Sequence, residues 1–149
     1  MRLARFVRRT HGTAMVEFAI VLPLLLMLVF GIIDFGRAFF LMNNLTSAVR
    51  EGGRYGATIF PDPTAAAAQD AIKARVVAYI QTFGGADDDP TVTVTGTSGS
   101  GTLQSITVTI VDYPFTPITP LAGMVGLGTI SMSPSAVFRW EGASSPPIP

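Results

Sequence analysis

Gly12-Thr13-Ala14-Met15-Val16-Glu17-Phe18 opens a stretch that stays apolar as far as Ile33 and carries one charge, Glu17. As a helix, the twenty residues Ala14 to Ile33 rise about 30 Å, the thickness of a bilayer's hydrocarbon core. The run predicts a transmembrane helix over residues 13–33. An ordinary anchor has no use for Glu17. A charge deep in a bilayer is costly, and the cost falls near the interface, where water reaches it. The carboxylate therefore asks for a reason that the hydrophobic effect does not supply.

Working outward, the residues before the span are basic and those after it are acidic. Arg2, Arg5, Arg8 and Arg9 lie in the leader 1–12, while six basic and ten acidic residues follow it, a net charge of −4. Basic residues gathered on the leader rather than on a folded domain argue against nucleic-acid binding. They fit the positive-inside rule, with the N-terminus cytoplasmic and residues 34–143 forming an extracytoplasmic domain. The chain has no cysteine, so the outer domain must be held by packing, in a compartment that permits disulfides without requiring them. A cleaved secretory signal would have an apolar core of about 7–15 residues followed by an A-x-A-like site. This run is longer, carries Glu17 and lacks such a site; an uncleaved signal anchor stays open.

Beyond the span, Phe35, Phe39, Met42, Leu45 and Val49 recur at three- and four-residue spacing, so the helix should continue outside the membrane as an amphipathic one. Pro23 removes one helical hydrogen bond and favours a bend or local melting. Asp34 with Arg37, and Glu51 with Arg54, can pair at i,i+3 on the solvent side. Ala48, Gly52 and Gly56 form a small-residue ridge for close helix packing. Alternatively, they mark a fraying helix end.

After a turn at residues 60–64, Asp62 is the expected N-cap of a second helix with Pro63 at its first position. Its buried stripe is Ile72, Val76, Tyr79 and Phe83, and Gly84-Gly85 ends it. Past the acidic turn at residues 86–90 the period becomes two. Val92 and Val94 alternate with threonines, 96–101 reads as a hairpin loop, and Ile106, Val108 and Ile110 form the next strand. Residues 114–120 are extended and 121–127 suggest a short helix. A third strand runs from Ile130 through Met132 to Ala136, Phe138 and Trp140, with Pro134 marking an edge or a bulge. Residues 144–149 read as a disordered tail. The expected fold class is α+β, pilin-like: a long N-terminal helix, a second helix and a small antiparallel sheet.

The stretch from Gly12 to Pro23, then Phe35-Gly36-Arg37, then Arg50-Glu51-Gly52-Gly53-Arg54-Tyr55, resembles the N-terminal half of TadE-like proteins, pseudopilins of the tight-adherence (Tad/Flp) type IV pilus machinery. The strand 106–111, the Tyr113-Pro114-Phe115 turn and the final strand resemble that family's weaker C-terminal half. The Arg-rich leader, Gly12 and a Glu inside the apolar segment look like a prepilin-type signal. The resemblance implies cleavage by a prepilin peptidase between Gly12 and Thr13, with Glu17 and Phe18 as assembly and recognition residues. It also implies a minor pilin of the bacterial inner membrane, single-pass with a periplasmic domain, and a role in pilus assembly or initiation, adhesion and biofilm formation. TadF-like and TadG-like proteins, and the Flp major pilin, are the implied partners. After cleavage, the new α-amino group, with an ordinary pKa of about 7.7–8.0, could pair with Glu17 of a neighbouring subunit. Both charges would pay desolvation, so the pair would set register more than add stability.

Other chemistry finds little support. Asp87-Asp88-Asp89 lacks the spacing of a calcium loop and reads as an acidic turn. Asn44-Leu45-Thr46 matches a glycosylation acceptor by a three-residue pattern common by chance. The lone histidine, His11, lies in the leader, which excludes a Ser-His-Asp site in the outer domain. Lys73 and Arg75 read as a solvated helix face. No enzyme, metal site, cofactor or small-molecule substrate is expected. The competing expectation is an unprocessed, signal-anchored extracytoplasmic binding domain or adhesin.

Overall fold

The computed structural model describes residues 10–59, 62–83, 90–99, 102–120, 123, 126 and 128–140. The leader 1–9, the glycines at 84–85, the acidic turn 86–89, most of the segment 121–127 and the tail 144–149 lie outside the described residues, and so do the expectations placed on them.

Helix α1 (Thr10–Ala57) is 48 residues long and continues unbroken through Pro23, about 72 Å at 1.5 Å per residue. Helix α2 (Ala66–Thr82) packs on its upper part. The expected α2 start is displaced. Asp62 accepts hydrogen bonds from the Thr64 N–H at 2.7 Å and the Thr64 hydroxyl at 2.6 Å, capping a turn that precedes the helix. Ala65 stands at the N-cap without a side-chain bond. Pro63 is fully buried in that turn. The buried stripe of α2 is Ile72, Val76 and Ile80, spaced four and four, rather than the expected Tyr79 and Phe83. Tyr79 is half-buried against the core, the Phe83 ring lies tilted beside it at 4.9 Å, and Phe83 remains 48 % exposed.

Strands β1 (Thr91–Gly99) and β2 (Thr102–Val111) form an antiparallel hairpin in which Val92 pairs with Ile110 and Val94 with Val108. Most of the expected loop at 96–101 is strand. Gly96 pairs with Ile106, and the register shifts once at Thr97/Ser98. At Asp112 the backbone takes a positive φ of 51°, a left-handed conformation that Asp tolerates better than most residues. Its carboxylate accepts the Ser131 hydroxyl at 2.7 Å, and its N–H donates to the Ser133 hydroxyl at 3.0 Å. This kink moves the chain from β2 into β3 (Tyr113–Phe115), which joins a separate two-stranded sheet with β4 (Ile130–Met132).

The single third strand expected over 130–140 is thus two strands in two sheets. Beyond Pro134 the chain rejoins the first sheet as β5 (Ser135–Arg139), giving the order β1-β2-β5. Proline cannot donate to a ladder, but its carbonyl can accept, and the Pro134 carbonyl takes the Ile110 N–H at 3.0 Å. The core lies between α1, α2 and this sheet: Leu45, Ala48, Val49, Ile72, Val76, Ile80, Val92, Val94, Val108, Ile110 and Tyr113. The α+β class expected from the sequence is the one observed, with a long apolar helix, a second helix and small antiparallel sheets.

Candidate functional site

Two parts of α1 carry the functional geometry. The lower part is bare. Its most apolar 18-residue window has a mean hydropathy of 2.7 and is 0 % buried by the chain itself, and the helix is long and apolar enough to cross a membrane. Gly12, Thr13 and Glu17 are exposed and Phe18 is 62 % exposed. Glu17 stands five residues past Gly12, about 7.5 Å along the axis. Among the described residues it has no hydrogen-bond or ion-pair partner in this chain. A carboxylate at such a place is stabilised by a cation or a donor brought to it, or by water at the interface.

The upper part is sealed by the rest of the chain. A Cβ at Gly52 would come within 2.4 Å of Val76 Cγ2, and one at Gly56 within 2.6 Å of Ile106 Cδ1 and 2.8 Å of Ile72 Cδ1. Ala48 is fully buried. These three therefore face α2 and β2 of their own chain. Gly53, which the ridge pattern omits, lies under the Phe138 ring, 2.2 Å from a Cβ position. Phe35, Phe39 and Met42, expected to share the buried stripe, are 73 %, 62 % and 39 % exposed. The domain buries one face of the helix fully only from Leu45 upward, and below it Phe35 and Phe39 have mainly each other to pack on.

Asp34 joins the two parts. Expected to face solvent, its side chain is only 15 % exposed. Its Oδ1 accepts the Ile118 N–H at 3.1 Å, and its Oδ2 accepts the Thr119 N–H at 3.4 Å and the Thr119 hydroxyl. Arg37 is 3.9 Å away. These groups, the Thr119 hydroxyl foremost and then the two amides and Arg37, hold the carboxyl below the usual Asp range. The Arg37 guanidinium also lies 5.6 Å from the Phe115 ring centroid, a cation–π contact. A segment 84 residues downstream is thereby clasped to α1 at the end of the apolar run. The sequence offered one signal for it: Asp34 is the first charge after the span, with Arg37 one turn on.

A second polar network closes the α1–α2 interface. Arg75, exposed as expected, also donates two bonds to Glu51 Oε1 at 3.2 and 2.9 Å, while Arg54 reaches Oε2 at 3.1 Å. At the top, Trp140 Nε1 donates to the Ile59 carbonyl at 2.9 Å. A groove of about 590 Å³ beside β5 is lined by Arg50, Glu51, Arg54, Tyr79 and Val137, among others. Its one carboxylate is already engaged by two guanidiniums. Among the described residues no group of three or more His, Cys, Asp or Glu side chains could hold a metal ion.

Residues 12–54 match the family model described as TadE-like protein. The matched span runs from the exposed Gly12 to Arg54, and so takes in the bare helix, the Asp34–Arg37 pair, Gly52 under α2 and Gly53 under Phe138. No curated protein and no solved structure matches the chain.

Proposed function

We propose that this chain, TadE-like over residues 12–54, is a membrane-anchored pseudopilin, or minor pilin, acting in assembly or initiation of a Tad/Flp pilus. The observation that carries the reading is Glu17, exposed and unpartnered among the described residues at the head of a bare apolar helix, five residues after Gly12. Prepilin peptidase cuts between Gly12 and Thr13, which frees an ammonium group at the start of the helix. In an array of parallel helices, that ammonium of one subunit meets Glu17 of the next. Low local dielectric strengthens the pair while desolvation offsets much of the gain, so the pair fixes register. The positively charged leader keeps the N-terminus cytoplasmic, and the folded part from residue 34 onward lies in the periplasm.

In this reading the exposed span packs against other pilin-like helices, with TadF-like and TadG-like proteins and the Flp major pilin as partners. Adhesion and biofilm formation come from the assembled fibre. The sealed Gly52 and Gly56 take no part in that contact, because α2 and β2 already occupy them.

The intact mass and N-terminal residue of the protein from membranes, with and without prepilin peptidase, test the proposal. A chain starting at Thr13 only when the peptidase is present supports it. A full-length chain in both cases favours a permanently anchored binding domain or adhesin. Glu17→Ala is expected to insert and be cleaved normally but to lose co-assembly with its partners, read by co-purification. Normal co-assembly of that variant would sink the pairing.

A further inference from the structure

Resting on the reading of α1 as a membrane span, we propose that the loop 116–119 is a second membrane contact, seating Ile118 in the interfacial layer of the bilayer surface from which α1 emerges. The path of the chain along α1 gives the direction. Ile106 lies against Gly56, the Phe115 ring against Arg37, and the Ile118 amide against Asp34. The chain then returns through β4 and β5, with Phe138 against Gly53 and Trp140 bonded to Ile59. Residues 106–118 thus descend along the helix and 130–140 climb it again, so among the described residues Ile118 and Thr119 make the lowest of these contacts with α1.

That low point coincides with the end of the apolar run. Helical side chains lean toward the N-terminus, so the Asp34 carboxylate lies over the turn that ends at Ile33. The Ile118 amide is 3.1 Å from it. Ile118 is nevertheless 69 % exposed: an aliphatic side chain held out at the level where the hydrocarbon ends. Thr116 and Pro120 beside it are exposed and uncharged. No charged residue or histidine occurs anywhere in 113–138, so no ionised side chain of that stretch has to be desolvated on approach to lipid. On α1 at the same level, Phe35 is 73 % and Phe39 62 % exposed, their rings 6.4 Å apart. Large apolar side chains beside a basic residue are what an interfacial contact uses, and Arg37 supplies the cation. The clasp on Asp34 keeps the loop from swinging away. A single helix leaves a domain free to rotate about its axis. A second point of contact fixes which face the sheet presents to its neighbours.

The chain has no cysteine, which makes single-cysteine labelling of the full-length protein direct. An environment-sensitive fluorophore would be placed in turn at Ile118→Cys, Leu25→Cys and Thr95→Cys. The protein would be reconstituted in phosphatidylcholine vesicles with lipids carrying a nitroxide quencher just below the headgroup. Thr95 is exposed and pairs with Thr107, next to the Ile106 that meets Gly56, about 33 Å up α1 from Asp34. The expected result is quenching at 25, loss of at least about half the fluorescence at 118, as suits a depth of 5–10 Å, and none at 95. Quenching at 25 without quenching at 118 overturns the second contact and leaves the span intact. No quenching at 25 overturns the span and the proposal with it. Quenching at all three positions means the whole domain lies on the lipid, which also overturns it.

Discussion

The lower and upper parts of α1 are one unbroken helix, and both carry glycines among apolar residues, yet they belong to different environments. Gly12, Gly31 and Gly36 have nothing within 4 Å of a Cβ position, whereas Gly52, Gly53 and Gly56 have a side chain within 2.6 Å. Phe35 and Phe39 stand in the open while Leu45 and Val49, at comparable spacing, are fully buried. The difference teaches that a small residue in a helix has no meaning until its neighbour is known. In the upper part the neighbour is the chain's own α2 and sheet. In the lower part the described residues of the chain supply none. The carboxylates divide the same way, since Asp34 is engaged within the chain and Glu17 has no partner among the described residues.

Large-to-small substitutions should separate the two parts most sharply. Ile106→Ala opens a cavity where α1, α2 and β2 meet and is expected to cost about 2–5 kcal/mol of domain stability. Phe39→Ala should stay within about 0.5 kcal/mol. Thermal unfolding in detergent checks both, and equal losses would erase the distinction. Next in size are the glycines. Gly52→Ala drives a methyl into Val76, which is fully buried and β-branched and so has little room to yield; about 1–3 kcal/mol should be lost. Gly36→Ala meets open space and gains helix propensity, so it should be neutral or stabilising by up to about 1 kcal/mol. The same unfolding measurement decides between these signs.

The smallest effect is on the joint between the parts. Because the folded Asp34 pKa lies below its unfolded value of about 3.9, the clasp contributes fully above that value. Its contribution is lost as pH falls through the lowered folded pKa. Amide exchange at Ile118 and Thr119, corrected for intrinsic rate, should be slow near about pH 6 and accelerate only below about pH 4. Asp34→Asn should show faster exchange at both amides and no such acid transition. Exchange independent of pH in the parent chain would mean that the carboxylate does not hold the loop.

Much of this organisation was legible in the residues because periodicity and length act locally. An uninterrupted apolar run with one early carboxylate, alternating Val and Thr at 91–95, and Ile106, Val108 and Ile110 each dictated an element and one of its faces. The Gly12–Glu17 spacing and the motifs at 35–37 and 50–55 were enough for the family resemblance, and the TadE-like match covers nearly all of them. What failed were statements that needed a partner. The stripe Phe35-Phe39-Met42 has helical spacing but no domain above it, and Phe83 yielded to the buried Ile80 while Tyr79 stays half-buried against the core. Arg75 is the surface residue its position suggests, and only the fold brings Glu51 of α1 beside it.

By itself, the chain's order of residues determined a long apolar helix with a carboxylate near its head, a second helix, a Val/Thr hairpin and the absence of any disulfide. All of these depend on local hydrophobic period and on which atoms are present. Only the tertiary structure decided where along α1 the domain begins to cover the helix, and that the 130–140 segment divides at Pro134 between two sheets. It alone placed Ile118 and Thr119 on Asp34, 84 and 85 residues away. Such contacts join residues that no local rule connects. They exist because the turn at Asp112 sends the chain back down the helix, where a largely covered carboxylate must find donors to offset its lost hydration.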